Sequence, residues 1–350
     1  MDWRLLGQVA LIPGLDLLRR GQVGLAVTTI VRNGHALLRD GLVPSEARLF
    51  ADARAALRAR RAGLYLQREH RRHLRRFRTA ISAHGLRCKV DFARFCAGAG
   101  LSHPPTLVIE PDREPGAMSE IGDMAGESFF VKPAMGGRSR GAAVVHRLRA
   151  GRWQLVAPDR ALEGDLMSLL KDHLPEERLV VQPLLVNAPP LAQWAGEMLA
   201  IFRIVTARAT DGTVRTLSML AELPLEVREP LPARWAVFPV SLDRDELSSL
   251  DVLAAERMPA FAARAASFAR RRIQAAGALR ALAQAAHARL AAAASLQLAP
   301  TIGWDMAWTP EGPMLLEPNW NWAVAPHYRN AAGLDFELSA RFEAAAREGD

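Results

Sequence analysis

The last third of the chain places two acidic residues inside strands that are otherwise apolar. Thr301 to Trp308 reads as one strand, Thr309-Pro310-Glu311-Gly312 as a turn, and Pro313 to Glu317 as the returning strand. Side chains alternate along a strand, so Asp305 and Glu317 are expected on neighbouring strands facing one side. Asn319, two residues on, faces that side again. Two carboxylates buried unpaired among apolar neighbours are costly, so the pattern demands a cation. Two carboxylates and an amide oxygen make a hard oxygen site suited to Mg²⁺ with nucleotide phosphates. The alternative is that each acid is paired with an arginine.

That alternative is real because the chain is arginine-rich. Lysine and arginine total 45, yet only Lys89, Lys132 and Lys171 are lysines. In that background each lysine marks a position where a compact ammonium stands instead of a planar fork. Lys132 ends a strand, Phe129 to Lys132, and a glycine-rich loop follows at once: Pro133-Ala134-Met135-Gly136-Gly137-Arg138-Ser139-Arg140-Gly141. Glycines let backbone N–H groups approach phosphate oxygens, and Ser139 adds a hydroxyl donor. The spacing is not that of a Walker A loop, and a plain β-turn is the simpler alternative. Arg203 lies in a third apolar strand, Ile201-Phe202-Arg203-Ile204-Val205-Thr206, and needs an anion there: a phosphoryl group, the metal carboxylates or a structural acid.

The remaining strands are expected at Thr106 to Ile109, Ala142 to His146, Trp153 to Ala157, Leu179 to Gln182, Met198 to Ala209 and Val214 to Ala221. Helices are expected from Lys89 to about Gly98, over Ala161 to Asp172, and within the alanine-rich stretch 251–299. Before this lies a loop-punctuated apolar segment to about residue 43. A helical region from Ser45 to His84 follows, dense in arginine: Arg58, Arg60, Arg61, Arg68, Arg71, Arg72, Arg75, Arg76 and Arg78. A solvated basic face on a packed helix is the simplest account, and an anionic membrane surface the next. Nucleic acid is disfavoured, because no aromatic residues alternate with these charges. His70 and His73, spaced i and i+3 among arginines, are expected on the solvated face rather than on a metal.

With 350 residues, two or three lobes are expected, and 50% hydrophobic against 23% charged residues excludes a wholly disordered chain. The net charge of +8 points to an anionic partner. Cys88 and Cys96 supply neither a disulfide framework nor a CxxC pair. No spanning segment or signal peptide is evident, so a cytoplasmic protein is expected, with peripheral attachment at the inner face of the membrane left open by the amphipathic start.

The order of these parts resembles the ATP-grasp superfamily, and within it the sugar-transfer-associated ATP-grasp group. The parts are Lys89 opening a helix, the Phe-Val-Lys-Pro strand with its glycine loop, Val180-Val181-Gln182-Pro183-Leu184-Leu185, the Phe-Arg-Ile-Val-Thr strand, and Ile302-Gly303-Trp304-Asp305 with Leu316-Glu317-Pro318-Asn319. The resemblance covers roughly Lys89 to His327. It implies an α+β fold in which two lobes sandwich ATP, with an N-terminal helical extension. The expected divisions are 1–86 (basic accessory region), 87–185 (first nucleotide lobe) and 186–350 (second lobe, with an alanine-rich insertion at about 245–299).

Under this resemblance Lys89 and Lys132 contact phosphates, Gly136, Gly137, Ser139 and Gly141 fold over them, and the backbone around Gln182 to Leu184 holds adenine. Asp305, Glu317 and Asn319 hold Mg²⁺, and Arg203 faces the γ-phosphate. Arg203 and Lys132 are then the catalytic pair. The implied reaction is that of a ligase: a carboxylate becomes an acylphosphate, which an amine or another nucleophile attacks. The substrates are a small-molecule or sugar-linked acid and nucleophile, in surface polysaccharide or sugar-conjugate biosynthesis. A phosphotransferase and a non-catalytic nucleotide- or polymer-binding protein are the alternatives. The segment after Gln182 departs from the pattern, having no acid for the ribose before Glu197.

Overall fold

Strict alternation along one short strand shows how the first lobe is built. In β2 (Ser128–Pro133), Phe129 and Val131 are buried in a core, while Phe130 and Lys132 look out from the other face. β2 lies near the middle of a six-stranded antiparallel sheet with β1 (Leu107–Ile109), β3 (Ala143–Arg147), β4 (Trp153–Ala157), β5 (Arg160–Gly164) and β6 (Leu179–Pro183), in the order β1-β6-β2-β3-β4-β5. The computed structural model describes residues 23–24, 26–31, 65–77, 88–110, 121, 127–136, 141–157, 160–173, 178–196, 198–228, 231–248, 266–268, 270–293, 300–330, 333–334 and 336–347.

The second lobe is a five-stranded antiparallel sheet, β11-β10-β7-β8-β9, made of β7 (Ile201–Arg208), β8 (Val214–Arg228), β9 (Leu231–Pro239), β10 (Thr301–Thr309) and β11 (Gly312–Asn319). One face carries Phe202, Ile204, Met219, Ala221, Ile302, Trp304, Met306 and Leu315. That face packs on Ala276, Leu279, Ala283, Ala286 and Leu290 of an alanine-rich helix, Ala276–Ala293. Small residues on this helix let it approach the sheet closely, and its apolar stripe belongs to the largest core of the described chain. Two α+β lobes, each on its own antiparallel sheet, are what the resemblance implies.

Two helices tie the parts together. Helix α1 (Gln67–Leu74), with a 3-10 turn Arg75–Phe77, buries Gln67, His70, His73 and Phe77 and exposes Arg68, Arg72, Arg75 and Arg76. Its start is held by Glu69, which accepts from the Leu66 N–H at 3.2 Å. Helix α2 (Lys89–Gly98) puts Val90 into a cluster with Val180 and Ala134 of the first lobe, and Phe92 and Cys96 into the core of the second. Lys89 therefore starts a helix that is packed on both lobes.

Three expectations are corrected. The stretch from Ala161 to Asp172 is not one helix: Arg160–Gly164 is an edge strand, and the helix α3 is Leu166–His173. Leu169 lies against Gly164, close enough that a Cβ there would meet Leu169 Cδ2 at 3.6 Å, so the turn into α3 is closely packed. β8 runs past Ala221 to Arg228, and β9 pairs with its far half. His70 and His73 are not on the solvated face but face inward. Arg58, Arg60, Arg61 and Arg78 lie outside the described residues, and among those described no helix is long and apolar enough to cross a membrane.

Candidate active site between the two sheets

The carboxylate hairpin does not have the register that its turn alone dictates. Thr309 pairs with Gly312, Trp308 with Pro313, Ala307 with Met314 and Met306 with Leu315. A regular ladder would next set Asp305 against Leu316 and Trp304 against Glu317, putting Glu317 on the apolar face with Trp304. Instead a bulge intervenes: Asp305 pairs with Glu317, Trp304 with Pro318 and Gly303 with Asn319. The extra residue, Leu316, reverses the phase of β11. Leu315 stays in the core with Met306, while Glu317 and Asn319 come to the face of Asp305. The expected grouping of the three residues is present, by way of a bulge that the sequence reading did not contain.

Arg203 lies directly across from Asp305 on β7, between the buried Phe202 and Ile204. Its Nε is 3.6 Å from Asp305 Oδ1 and 3.0 Å from Glu222 Oε1 on β8, although its N–H is not aligned for a hydrogen bond on either. Burial works against the charge of Arg203, and Asp305, Glu222 and Glu317 outweigh it, so its pKa is raised. Burial likewise raises Glu222 against the pull of Arg203. For Asp305, burial lifts the carboxyl well above its ordinary range. Arg203 and a hydrogen bond from Asn319 oppose this, and the charges of Glu317 and Glu222 add to it. Glu222 was missed in the sequence, although an acid between Ala221 and Leu223 carries the same signal as Arg203 between Phe202 and Ile204.

The cations come from the first lobe. Lys132 leaves β2 on the face shared with Val180 and Gln182, with Nζ 5.8 Å from the Phe130 ring centroid. Burial lowers it to about 8, repulsion from Lys89 adds to the fall, and attraction to Glu317 and Asp305 across the lobes opposes it. Lys89 is lowered by burial too, against the attraction of Glu317. Its Nζ donates to Gly136 O at 2.8 Å and its backbone N–H to Ala134 O at 2.9 Å, so the helix start and the loop after β2 hold each other. Burial and Lys132 bring His103 down to about 4.

Gly136 and Gly141 both take left-handed φ values, +102° and +70°, as a loop that doubles back requires. Gly137 and Ser139 lie outside the described residues. The carbonyl of Gly141 accepts from His173 Nε2 at 3.1 Å, so Nδ1 is free to accept from Arg160 Nη2, also at 3.1 Å. His173 thus tethers the far end of the loop, a role no sequence spacing signalled. Gln182 is buried and donates to Thr106 Oγ1 at 2.9 Å, so its side chain is engaged within the protein. Beyond it Leu184 is 42% exposed and Val186 more than half exposed, an uncovered apolar rim past the end of β6.

Acids on one sheet and lysines on the other thus interact across a cleft. Among the described residues no three His, Cys, Asp or Glu side chains form a metal-holding group. What the hairpin offers is two carboxylates with an asparagine. The donor chemistry still fits a hard divalent cation: the donors are all oxygen, and Asp305 is held above its ordinary range chiefly by burial. The lysines opposite are depressed chiefly by burial too.

No profile of a known protein family matches the chain, and no curated protein does either. Several solved structures are similar to it. D-Ala:D-Ser ligase VanG from Enterococcus faecalis is 12% identical, with a TM-score of 0.46 over 76% of this chain and 62% of that one. D-cycloserine synthetase DcsG is 17% identical, with a TM-score of 0.43 over 76% of this chain and 71% of the other. N5-carboxyaminoimidazole ribonucleotide synthetase from Thermotoga maritima is 11% identical, with a TM-score of 0.38; 75% of this chain spans 49% of that enzyme, about half its length.

Proposed function

We propose that this cleft is the active site of an ATP- and Mg²⁺-dependent ligase that activates a carboxylate as an acylphosphate for attack by an amine or another nucleophile. The observation that carries the reading is the placing of Lys89 and Lys132 on one side of the cleft near enough to Asp305 and Glu317 on the other to attract them, all in a largely buried setting. A polyphosphate bound to a divalent cation is complementary to both sets of charges in one ligand. Lys89 and Lys132 would bind phosphate oxygens, and the loop from Gly136 to Gly141 would close over them. The apolar rim at Leu184 and Val186 would take the flat face of a purine, while the backbone at Gln182 to Leu184 meets its edge.

Asp305, Glu317 and Asn319 would hold Mg²⁺, which when bound supplies neutralisation of the charge spread over the transferring phosphoryl group. Arg203, already flanked by two carboxylates, would face the γ-phosphate. The lysines would hold the leaving oxygen, and their partial burial would keep water from competing with the nucleophile. An acid and a nucleophile of small-molecule or sugar-linked type, in surface polysaccharide or sugar-conjugate biosynthesis, belong to the same proposal. So does a cytoplasmic enzyme whose exposed Arg68, Arg72, Arg75 and Arg76 meet anionic lipid, read by co-sedimentation with anionic vesicles against neutral ones.

The test of the reaction is a phosphate-release screen with ATP and Mg²⁺ over paired acids and amines. A ligase releases phosphate only when both are present, and Glu317→Ala abolishes it. Phosphate handed to a hydroxyl without acid would make the protein a phosphotransferase. Nucleotide binding with no turnover across the panel would make it a binding protein.

A further inference from the structure

The segment just beyond the carboxylate hairpin, Trp320 to Val324, is held from outside both sheets. Gln67 of α1 is 7% exposed and makes three bonds to it. Its Nε2 donates to Asn321 Oδ1 at 2.8 Å and to Trp322 O at 3.1 Å, and its Oε1 accepts from the Val324 N–H at 3.2 Å. One turn later His70, fully buried, reaches Trp320 O at 2.9 Å through Nε2. A carbonyl only accepts, so Nε2 carries the proton and Nδ1 accepts from the Tyr65 hydroxyl at 2.9 Å. The Tyr65 N–H donates in turn to Ser339 Oγ on the C-terminal helix, which fixes the segment before α1.

The clamped loop bears on the hairpin. Trp322 sits over Gly303, so close that a Cβ on Gly303 would lie 2.7 Å from Trp322 Cβ and 3.2 Å from the carbonyl oxygen of Asn319. Gly303 is the ladder partner of Asn319, two residues from Asp305. An unbroken line of contacts therefore runs from Gln67 and His70, through Trp320 to Val324, to the residues assigned to the metal.

We infer that Gln67, with His70 behind it, is a positioning residue for the divalent-cation site, and that the arginine-bearing N-terminal helix is a working part of the cleft. This rests on the function proposed above. Side chains that hold metal ligands in place typically govern metal affinity about 10- to 100-fold. A clamp on one carboxylate hairpin should move cation binding and leave metal-free nucleotide binding alone.

The experiment uses the full chain and reads two affinities: free Mn²⁺ by electron paramagnetic resonance, and ATP in the presence of a chelator. In Gln67→Ala the Mn²⁺ affinity is expected to fall about 10-fold or more, with the ATP affinity within twofold of wild type. Gln67→Glu keeps the acceptor for Val324 but turns a carboxylate oxygen toward the two oxygens that Nε2 bonds, so it should fall at least as far as Gln67→Ala. Asn321→Ala removes a single bond on an exposed residue and keeps the test alive if Gln67→Ala does not fold. Loss of both affinities together, or of neither in a folded variant, overturns the inference. If wild-type protein binds Mn²⁺ no better than Asp305→Ala, the proposed function itself fails, which is a different result.

Discussion

Substituting Gly303 by alanine probes the contact between the clamp and the carboxylate hairpin. The new Cβ would stand 2.7 Å from Trp322 Cβ and 3.0 Å from Cγ, and ordinary contact begins at 3.4 Å, so something must move by about 0.7 Å. The atom in the way is no flexible tip: Cβ is fixed to its backbone, and the Trp322 ring is wedged against His70, His327 and Phe342, with centroids 4.6, 5.4 and 5.0 Å away. Strain of this kind in a packed interior costs about 1–3 kcal/mol. For a chain of this size that is a fall in Tm of roughly 1.5–4 °C by thermal shift. The decisive measurement is the same substitution in the Gln67→Ala background. With the loop released, Trp322 can back away, and the two losses should sum to more than the double variant shows, by about 0.5–3 kcal/mol. Additive losses would mean that Gln67 does not hold Trp322 against Gly303. An unchanged Tm in Gly303→Ala would refute the close approach itself.

Three further outcomes follow from the electrostatics. Glu317→Gln removes one of the charges that hold Asp305 above its ordinary range, so the ligand-free variant should melt at or above the wild-type temperature while losing the stabilisation given by Mg²⁺ with ATP. Lys132 titrates at about 8 and binds phosphate only when protonated, so metal-free ATP affinity, followed by calorimetry from pH 7 to 9.5, should weaken as pH rises through that value. Lys132→Arg should remove this titration and bind more weakly, since the fork does not fit where the ammonium does. His70, His287 and His327 are each pushed down to about 3 by burial, so below pH 6.5 the unfolded chain takes up protons that the native one refuses. Stability should be complete above that pH and fall on acidification, with each histidine adding up to about 1.4 kcal/mol per pH unit to the slope. A flat profile of urea-unfolding free energy between pH 7 and 5 would contradict it.

The parts of the site that the sequence displays are those whose local chemistry is incongruous. Asp305 between Trp304 and Met306, and Arg203 between Phe202 and Ile204, stand out because a charge at a strand position flanked by apolar residues needs a partner on the opposite face. Lys132 stands out for the same reason and because lysine is scarce. Glu222 has the same signature and was passed over only because its strand was ended one residue too soon, at Ala221. The inward turn of His70 and His73 has no such signature. Both follow the pattern of their arginine neighbours, yet His70 is bonded to a backbone carbonyl 250 residues away in sequence. A contact of that separation leaves no trace in local periodicity.

The bulge at Leu316 sets a different limit, because there the sequence reading reached the right grouping by a wrong register. Turn geometry pairs Thr309 with Gly312, and from that start Glu317 belongs beside Trp304 on the core face. Two demands compete for β11: Leu315 must fill the core beside Met306, and Glu317 must not enter it. A regular strand gives residues two apart the same face, so it cannot meet both. One additional residue between them can, at the expense of a locally broken ladder. The broken ladder lies where the chain turns from packing to chemistry, and Gly303, Asn319 and Trp322 crowd together in the next pairs along. Precision there has to come from something other than ladder hydrogen bonds, and in this chain the bonds from Gln67 and His70 are what the geometry supplies.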